Sequence, residues 1–380
     1  MTIRRASVRI LLTTLCFITG APGQRRSPQP AIESSAMAGI RKQVAAAMKQ
    51  HGIPALSLSV QFRGASWTEA YGHSDVENAI QAKANSVYRL ASVSKVFTAT
   101  AVMQLVERGR IELDAPIQRY VPEYPEKKSV VTVRQLLNHT SGVRHYRSDD
   151  DAADPEVNNT RTYSTLAEAI AQFSQDPLEQ AAGVKLLYST HAYTLLGRAV
   201  EVAGEKPFPQ YMQQHIFGPA GLTNTRTDSV REIIPMRVRG YHAGESGLLQ
   251  NAPLSDTSNR MPGGGLVSTV EDLIRFAAAA QNGTLVRPST FAQMTVPVVF
   301  PDGERNLVGL GWLVGGSVGR ADAVWHAGNQ YGATSMLYLL PNKDLSIAIL
   351  TNKSAQGPAV IAVTQVIVRT LLTEPVPIVH

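Results

Sequence analysis

Residues 89–99 read RLASVSKVFTA, with a hydroxyl and an ammonium group, Ser92 and Lys95, three apart among small and apolar side chains. In a helix beginning near Ser92, one face carries Val93, Val96, Phe97, Thr100 and Met103, and the other carries Ala91, Ala99, Val102 and Val106. A helix that is apolar on both sides is a central one. Ser92 and Lys95 are i, i+3 neighbours, so their side chains can share a side. Two readings are open. In the first, the serine caps the helix and the lysine runs its stem along apolar surface to reach water. In the second, they are a nucleophile and its base. An alcohol needs an adjacent acceptor for its proton, and burial lowers a lysine from its usual ~10.4 by disfavouring the charged form. The N–H groups of the first helical turn could then steady a developing oxyanion.

The elements on either side place this helix. Residues 32–51 form an amphipathic helix that stops at Gly52 and Pro54. PALSLSVQF (54–62) alternates as a strand does, and ASWTEAYG (65–72) follows a turn at Arg63-Gly64, which predicts a hairpin. From 92 to about 300 the helical period dominates, with helices expected over 92–108, 132–138, 164–174, 190–203, 207–217 and 269–281. The segment 147–162 reads as a polar surface loop. Strand signals return at 308–316, 321–328, 333–341 and 345–352, followed by an apolar helix over 356–372. Strands at both ends with helices between predict an α+β fold: one antiparallel sheet flanked by N- and C-terminal helices, with an inserted, mostly helical domain. The expected division is a leader at 1–26, a sheet domain at 27–91 plus 305–380, and the helical domain at 92–304, with a site at their boundary.

Composition narrows the function. The chain has 380 residues and a formal net charge of +6, but Arg4, Arg5, Arg9, Arg25 and Arg26 precede any acid. Without them, 31 basic side chains face 30 acidic ones, so no basic surface calls for nucleic acid. MTIRRASVR followed by ILLTTLCFITGA has the layout of a signal peptide, which predicts export to a periplasmic or extracellular compartment. Thr19-Gly20-Ala21 is a poor cleavage site, and an uncleaved leader would anchor the chain to a membrane. Cys16, the sole cysteine, lies in that leader, so a mature chain would have neither disulfides nor a thiolate nucleophile. The nine histidines include no HExxH or similar pair, and neither a metal nor an organic cofactor is expected.

A serine and lysine in SxxK spacing at the start of a buried helix resemble the serine β-lactamase and penicillin-binding group. Further motifs follow in that group's order. YSTHAYTLLG (188–197) resembles the tyrosine motif of class C β-lactamases and of related D-alanyl-D-alanine peptidases and esterases. WHAGNQYGATSMLYLLP (325–341) resembles the group's third motif, whose strand usually reads Lys-Thr-Gly or His-Thr-Gly. LDAPIQRYVPEYP (113–125), LLNHTSGV (136–143) and GGGLVSTVEDLIRF (263–276) are similar to further landmarks. The resemblance covers about residues 40–370. YGHSDVEN, YVPEYPEK, GVRHY and the YST…YTLLG run are especially similar to the mitochondrial serine β-lactamase-like branch and its bacterial relatives.

The resemblance implies a β-lactamase/transpeptidase-like fold and a set of roles. Ser92 would be acylated, Lys95 would assist its deprotonation, and Tyr188 would exchange the proton with leaving group and water. Nearby positive charge would favour the Tyr188 phenolate, and which of Lys95 and Tyr188 holds the proton stays open. The N–H of Asn329, with that of Ser92, would form the oxyanion hole, and His326 and Gly328 would mark the strand lining the cleft. Two positions depart from the group's pattern. Thr190 stands where an Asn amide usually meets the substrate's acylamido group, and His326-Ala327 replace Lys-Thr. A hydroxyl cannot present an amide's donor–acceptor pair, and a titratable imidazole replaces a permanent charge. Both changes weaken recognition of a β-lactam or terminal D-Ala carboxylate and leave acyl transfer in place.

The expected function is therefore a serine hydrolase that uses an acyl-enzyme on Ser92 to cleave ester or peptide-like amide bonds, with a small-molecule or peptide-like acyl substrate as partner. The alternatives are a β-lactamase or D-alanyl-D-alanine carboxypeptidase and, in another class, a penicillin-binding-like scaffold without turnover. GGSVG (315–319) satisfies G-x-S-x-G, but a strand rather than a helix follows, so Ser317 reads as a turn residue. Gly263–Gly265 lack the following Lys-Ser/Thr of a phosphate loop. His139 reads as a buried structural histidine and Trp325 as packing or cleft wall, while His145 has no assigned role.

Overall fold

The computed structural model describes residues 34–147, 154–300, 303, 307–316 and 320–372. The leader with Cys16, the linker before residue 32 and the decoy Ser317 lie outside the described residues.

Helix α1 (Ser34–His51) ends where Gly52 turns left-handed, at φ +55°. Strands β1 (Ala55–Phe62) and β2 (Ala65–Asp75) form the expected hairpin, turning through Arg63 and Gly64, both at positive φ. A short β3 (Ile80–Gln81) completes that edge. From the other end of the chain come β4 (Leu313–Val314), β5 (Val324–Gln330), β6 (Ala333–Leu340) and β7 (Leu345–Thr351). The order across the sheet is β3-β2-β1-β7-β6-β5-β4, antiparallel throughout. The central pairing joins the two ends of the chain, with Leu56 opposite Thr351 and Phe62 opposite Leu345.

Alternation along the strands explains why the sheet is covered on both faces. Leu56, Leu58, Val60, Met336, Tyr338, Ile347 and Ile349 point into a core shared with α1 and the C-terminal helix α5 (Gly357–Leu372). Leu337, Leu339, Ala348 and Leu350 point the other way, into the larger core of the helical region. Two long helices connect that core to the site. Helix α2 (Ser94–Glu107) is buried at every position from Ser94 to Leu105, as its apolar faces predict. Helix α3 (Thr190–Gly204) packs along α2. Helix α4 (Val270–Gln281) lies on β1 and β7 and meets α2 through Phe276 stacked on Phe97, with ring centroids 3.8 Å apart. Among the described residues, no helix is long and apolar enough to cross a membrane.

Three sequence expectations differ from the structure. The strand expected at 308–316 shrinks to Leu313–Val314, because Gly311, Gly315 and Gly316 all take positive φ and break the extended run. A Cβ at Gly311 would lie 2.3 Å from the Ala99 side chain, so this segment is a close-packed turn against α2. The helix expected at 164–174 is regular only over Leu166–Ile170, and a helix at Pro288–Met294 was not foreseen.

Phe276 is fully buried between Phe97 and the Trp312 ring. Phe276→Ala is expected to lower unfolding free energy by about 3–5 kcal/mol, measured by urea denaturation.

Candidate active site

Ser92 does not cap α2. It sits in a single 3₁₀ turn, Ala91–Val93, ahead of the helix, and no side chain caps the helix at Val93. Ala91 takes φ +46°, a left-handed conformation unfavourable for a residue with a Cβ. This bend presents Ser92 at the wall of a cavity of about 260 Å³, which Tyr188, Thr190 and Asn329 also line.

Behind Ser92, Lys95 is completely buried, so it does not reach water along its stem. Its Nζ lies 3.1 Å from Ser92 Oγ, 3.1 Å from Thr190 Oγ1 and 2.8 Å from the Gly263 carbonyl oxygen. None of these partners is a carboxylate, so nothing offsets desolvation. Burial first, and the Arg260 charge second, push the amine well below its ordinary value. A neutral amine suits the three contacts: two N–H bonds to Gly263 and Thr190, and a lone pair facing the Ser92 hydroxyl.

Tyr188 precedes α3 and is held by its neighbours. Ser189 Oγ accepts the Ala192 N–H at 3.0 Å, capping α3, and donates to the Arg144 carbonyl at 2.7 Å. The Ser189 N–H donates to His139 Nδ1 at 3.1 Å, and the Thr190 N–H to His145 Nδ1 at 3.3 Å. His139 thus has the buried structural role read from the sequence, and His145 gains a matching one. The Tyr188 ring stacks on His139 at 4.3 Å and lies 4.8 Å from Lys95 Nζ. Burial pushes its phenol up, against the smaller opposing effect of its hydrogen bond with Ser92. Of the two arrangements the sequence left open, burial favours the one in which the resting tyrosine keeps its proton.

On the facing strand, Gly328 is required by close approach. A Cβ there would lie 2.4 Å from the Leu90 carbonyl oxygen and 2.8 Å from the Ser92 nitrogen. Ser335, its partner in the register, donates to the same Leu90 carbonyl at 2.6 Å and fixes β6 to the bend. Asn329 follows on the exposed side, its Oδ1 accepting the Ala355 N–H at 2.6 Å. The backbone at Gly328 therefore packs directly against the Ser92 nitrogen. His326 departs from expectation: it is buried and is not among the residues lining the cavity. Its Nδ1–H donates to the Ala327 carbonyl at 2.7 Å, and burial, the largest cause, pushes the ring down to about 3. It offers no positive charge to a substrate at neutral pH.

The opposite wall is formed by His145, Tyr146, Val157, Arg260, Gly263 and Gly264; the glycines agree with a tight turn near the cleft, and sequence reasoning missed the other four. Arg260 is buried and bonded to neutral oxygens: the carbonyls of Glu156 and Val157, Ser255 Oγ and Asn259 Oδ1. GVRHY and the residues before GGG were the available signals, but nothing local links them to Ser92. Among the described residues, no group of three or more His, Cys, Asp and Glu could hold a metal ion.

Known proteins share this arrangement of elements. The Beta-lactamase family matches residues 40–371. The human mitochondrial serine beta-lactamase-like protein LACTB is 29% identical, covering 88% of this chain and 76% of its own length. Penicillin-binding protein 4 of Amycolatopsis lactamdurans is 30% identical over 80% of this chain and 82% of itself. The D-amino acid amidase of Ochrobactrum anthropi SV3, solved with L-phenylalanine amide, superposes with a TM-score of 0.76 over 90% of this chain and 99% of its own. At 24% identity that likeness is one of fold.

Two outcomes follow from the geometry. Gly328→Ala pushes the strand away from the bend and is expected to slow acylation of Ser92 roughly 10²–10³-fold, read as fluorophosphonate labelling rate, with circular dichroism unchanged. Because His326 binds its proton near 3 when folded and near 6.5 when unfolded, the unfolded state gains protons first as pH falls. Stability present above pH 6.5 should decline by about 2 kcal/mol from this group by pH 5, and denaturation at the two pH values should show that loss shrinking in His326→Phe.

Proposed function

Since the chain belongs to the Beta-lactamase family, we propose that it is a serine hydrolase that forms an acyl-enzyme on Ser92 and cleaves ester or peptide-like amide bonds. The observation that carries this reading is the fully buried Lys95, without a carboxylate partner, 3.1 Å from Ser92 Oγ.

In this mechanism Ser92 gives its proton to the Lys95 lone pair while Oγ bonds to the acyl carbon. The carbonyl oxygen becomes an oxyanion between the N–H groups of Ser92 and Asn329. Collapse breaks the bond to the leaving group, which departs with a proton from the Lys95–Tyr188 pair. Water then adds to the acyl carbon and gives a proton to the pair; the bond from that carbon to Ser92 Oγ breaks, Oγ takes the proton back from the pair, and the acid leaves. Tyr188 is suited to the donor role because its phenol is neutral at rest.

Two observations support ester and peptide-like amide bonds over β-lactams. His326 is buried and uncharged, and the Thr190 hydroxyl is engaged by Lys95 instead of being free for an acylamido group. Relatives named as penicillin-binding proteins support the second reading, a β-lactamase, a D-alanyl-D-alanine carboxypeptidase or a scaffold that acylates without turnover.

Treating the protein and its Ser92→Ala variant with a fluorophosphonate, p-nitrophenyl butyrate and a chromogenic cephalosporin separates these readings. Labelling and ester turnover, both lost in the variant, are expected. Labelling without turnover would favour the scaffold, rapid cephalosporin cleavage the β-lactamase, and an unlabelled Ser92 would refute the mechanism. Lys95→Met should slow labelling by about 10²–10⁴-fold. In the wild type the rate should fall as pH drops through the depressed Lys95 value, because a protonated amine has no lone pair to accept the serine proton.

A further inference from the structure

A second cavity, of about 230 Å³, adjoins the first where β5 ends: Asn329 and Gln330 line one, and Tyr331 and Gly332 line the other. Ser255 stands between them, its Oγ accepting from Arg260 of the first wall and its carbonyl accepting from Arg89 of the second. Three guanidinium groups, Arg89, Arg237 and Arg239, line this second cavity, and no carboxylate does.

Carboxylates behind the wall hold the three arginines in place. Arg89 and Arg237 share one carboxylate, Asp228, at 2.8 and 2.6 Å, and Arg239 pairs with Glu77 at 2.8 Å. The Asp75 carboxylate also interacts with Arg239, so three guanidinium groups face three carboxylates. Each guanidinium also keeps a terminal nitrogen in reserve: among the described residues, Arg89 Nη1, Arg237 Nη1 and Arg239 Nη2 make no hydrogen bond. Arg260, the cation of the first cavity, differs, because its terminal nitrogens already serve four oxygens. Leu254, Pro253 and Val238 complete the second wall and would pack a short aliphatic segment.

We propose that this arginine-lined cavity is a substrate subsite for a carboxylate, so that the compounds cleaved at Ser92 carry an acidic arm on the side of β5's end. Resting on the acyl-transfer reading above, it adds a substrate class. From Asn329 to Tyr331 is two residues, roughly 7 Å along an extended chain, a span that an arm of four or five methylene groups crosses. Planar guanidinium forks suit carboxylate oxygens, and charge-assisted bonds to them are stronger than neutral ones.

Calorimetric titration of glutarate into the Ser92→Ala protein tests the subsite without catalysis. Binding should weaken about tenfold or more when Arg239→Met is added, and similarly with Arg237→Met. Arg239 is half-exposed, so its variant keeps the test open if loss of Arg237 disturbs Asp228. In turnover assays, Arg239→Met should raise KM for the p-nitrophenyl monoester of adipic acid about tenfold with kcat kept. The p-nitrophenyl butyrate reaction, with no arm to reach the arginines, serves as reference. Equal glutarate binding in both proteins, or a KM change common to both esters, would overturn the subsite. Absent butyrate turnover in the wild type would instead overturn the acyl-transfer reading, leaving the titration to judge the subsite.

Discussion

Everything at the site depends on removing one amine from water without giving it an anion. A buried ammonium ordinarily acquires a carboxylate or loses its proton. Lys95 is offered a hydroxyl of Ser92, a hydroxyl of Thr190 and one carbonyl, with imidazoles and phenols beyond them. The same condition extends outward. His139 and His145 can accept the backbone N–H groups that hold Tyr188 and Thr190 only while their Nδ1 atoms are unprotonated, and burial depresses both rings. The interior around Ser92 is thus rich in titratable groups and nearly free of charge, Arg260 being the cation on its wall.

The scaffold maintains this by fixing the bend at Ala91–Ser92 from three directions. Strand β5 abuts it at Gly328, β6 is tied to the Leu90 carbonyl through Ser335, and the turn at Gly263 supplies a Lys95 acceptor. Gly263 itself admits no side chain, since a Cβ would lie 2.8 Å from the Thr190 methyl group. Left-handed strain at Ala91 persists because these neighbours over-determine it.

Features set by neighbours in sequence were legible before the structure. The i, i+3 spacing of Ser92 and Lys95, the two-sided apolar pattern of α2, the alternation of β1 and the strand signals of β6 and β7 each gave the correct element. The strand expected at 308–316 failed because its glycines obey the packing of Gly311 against Ala99, which no local pattern encodes. Three-dimensional surroundings also decide the electrostatics: burial raises the Tyr188 phenol and depresses the His326 imidazole, so both stay neutral. His145 and Arg260 went unassigned because they meet Ser92 only through the fold.

The central pairing of β1 with β7 has a consequence for biosynthesis. Ser92 is translated before the strand that abuts it and before the sheet centre that holds that strand. A nascent chain lacking β7 leaves the β1–β2 hairpin with an open edge and the Ser92 bend with no opposing wall. Long-range closure of this kind makes folding slow. It also ties assembly of the Ser92 cavity to synthesis of β7, so that a product terminated before that strand lacks the opposing wall and is prone to edge-to-edge association.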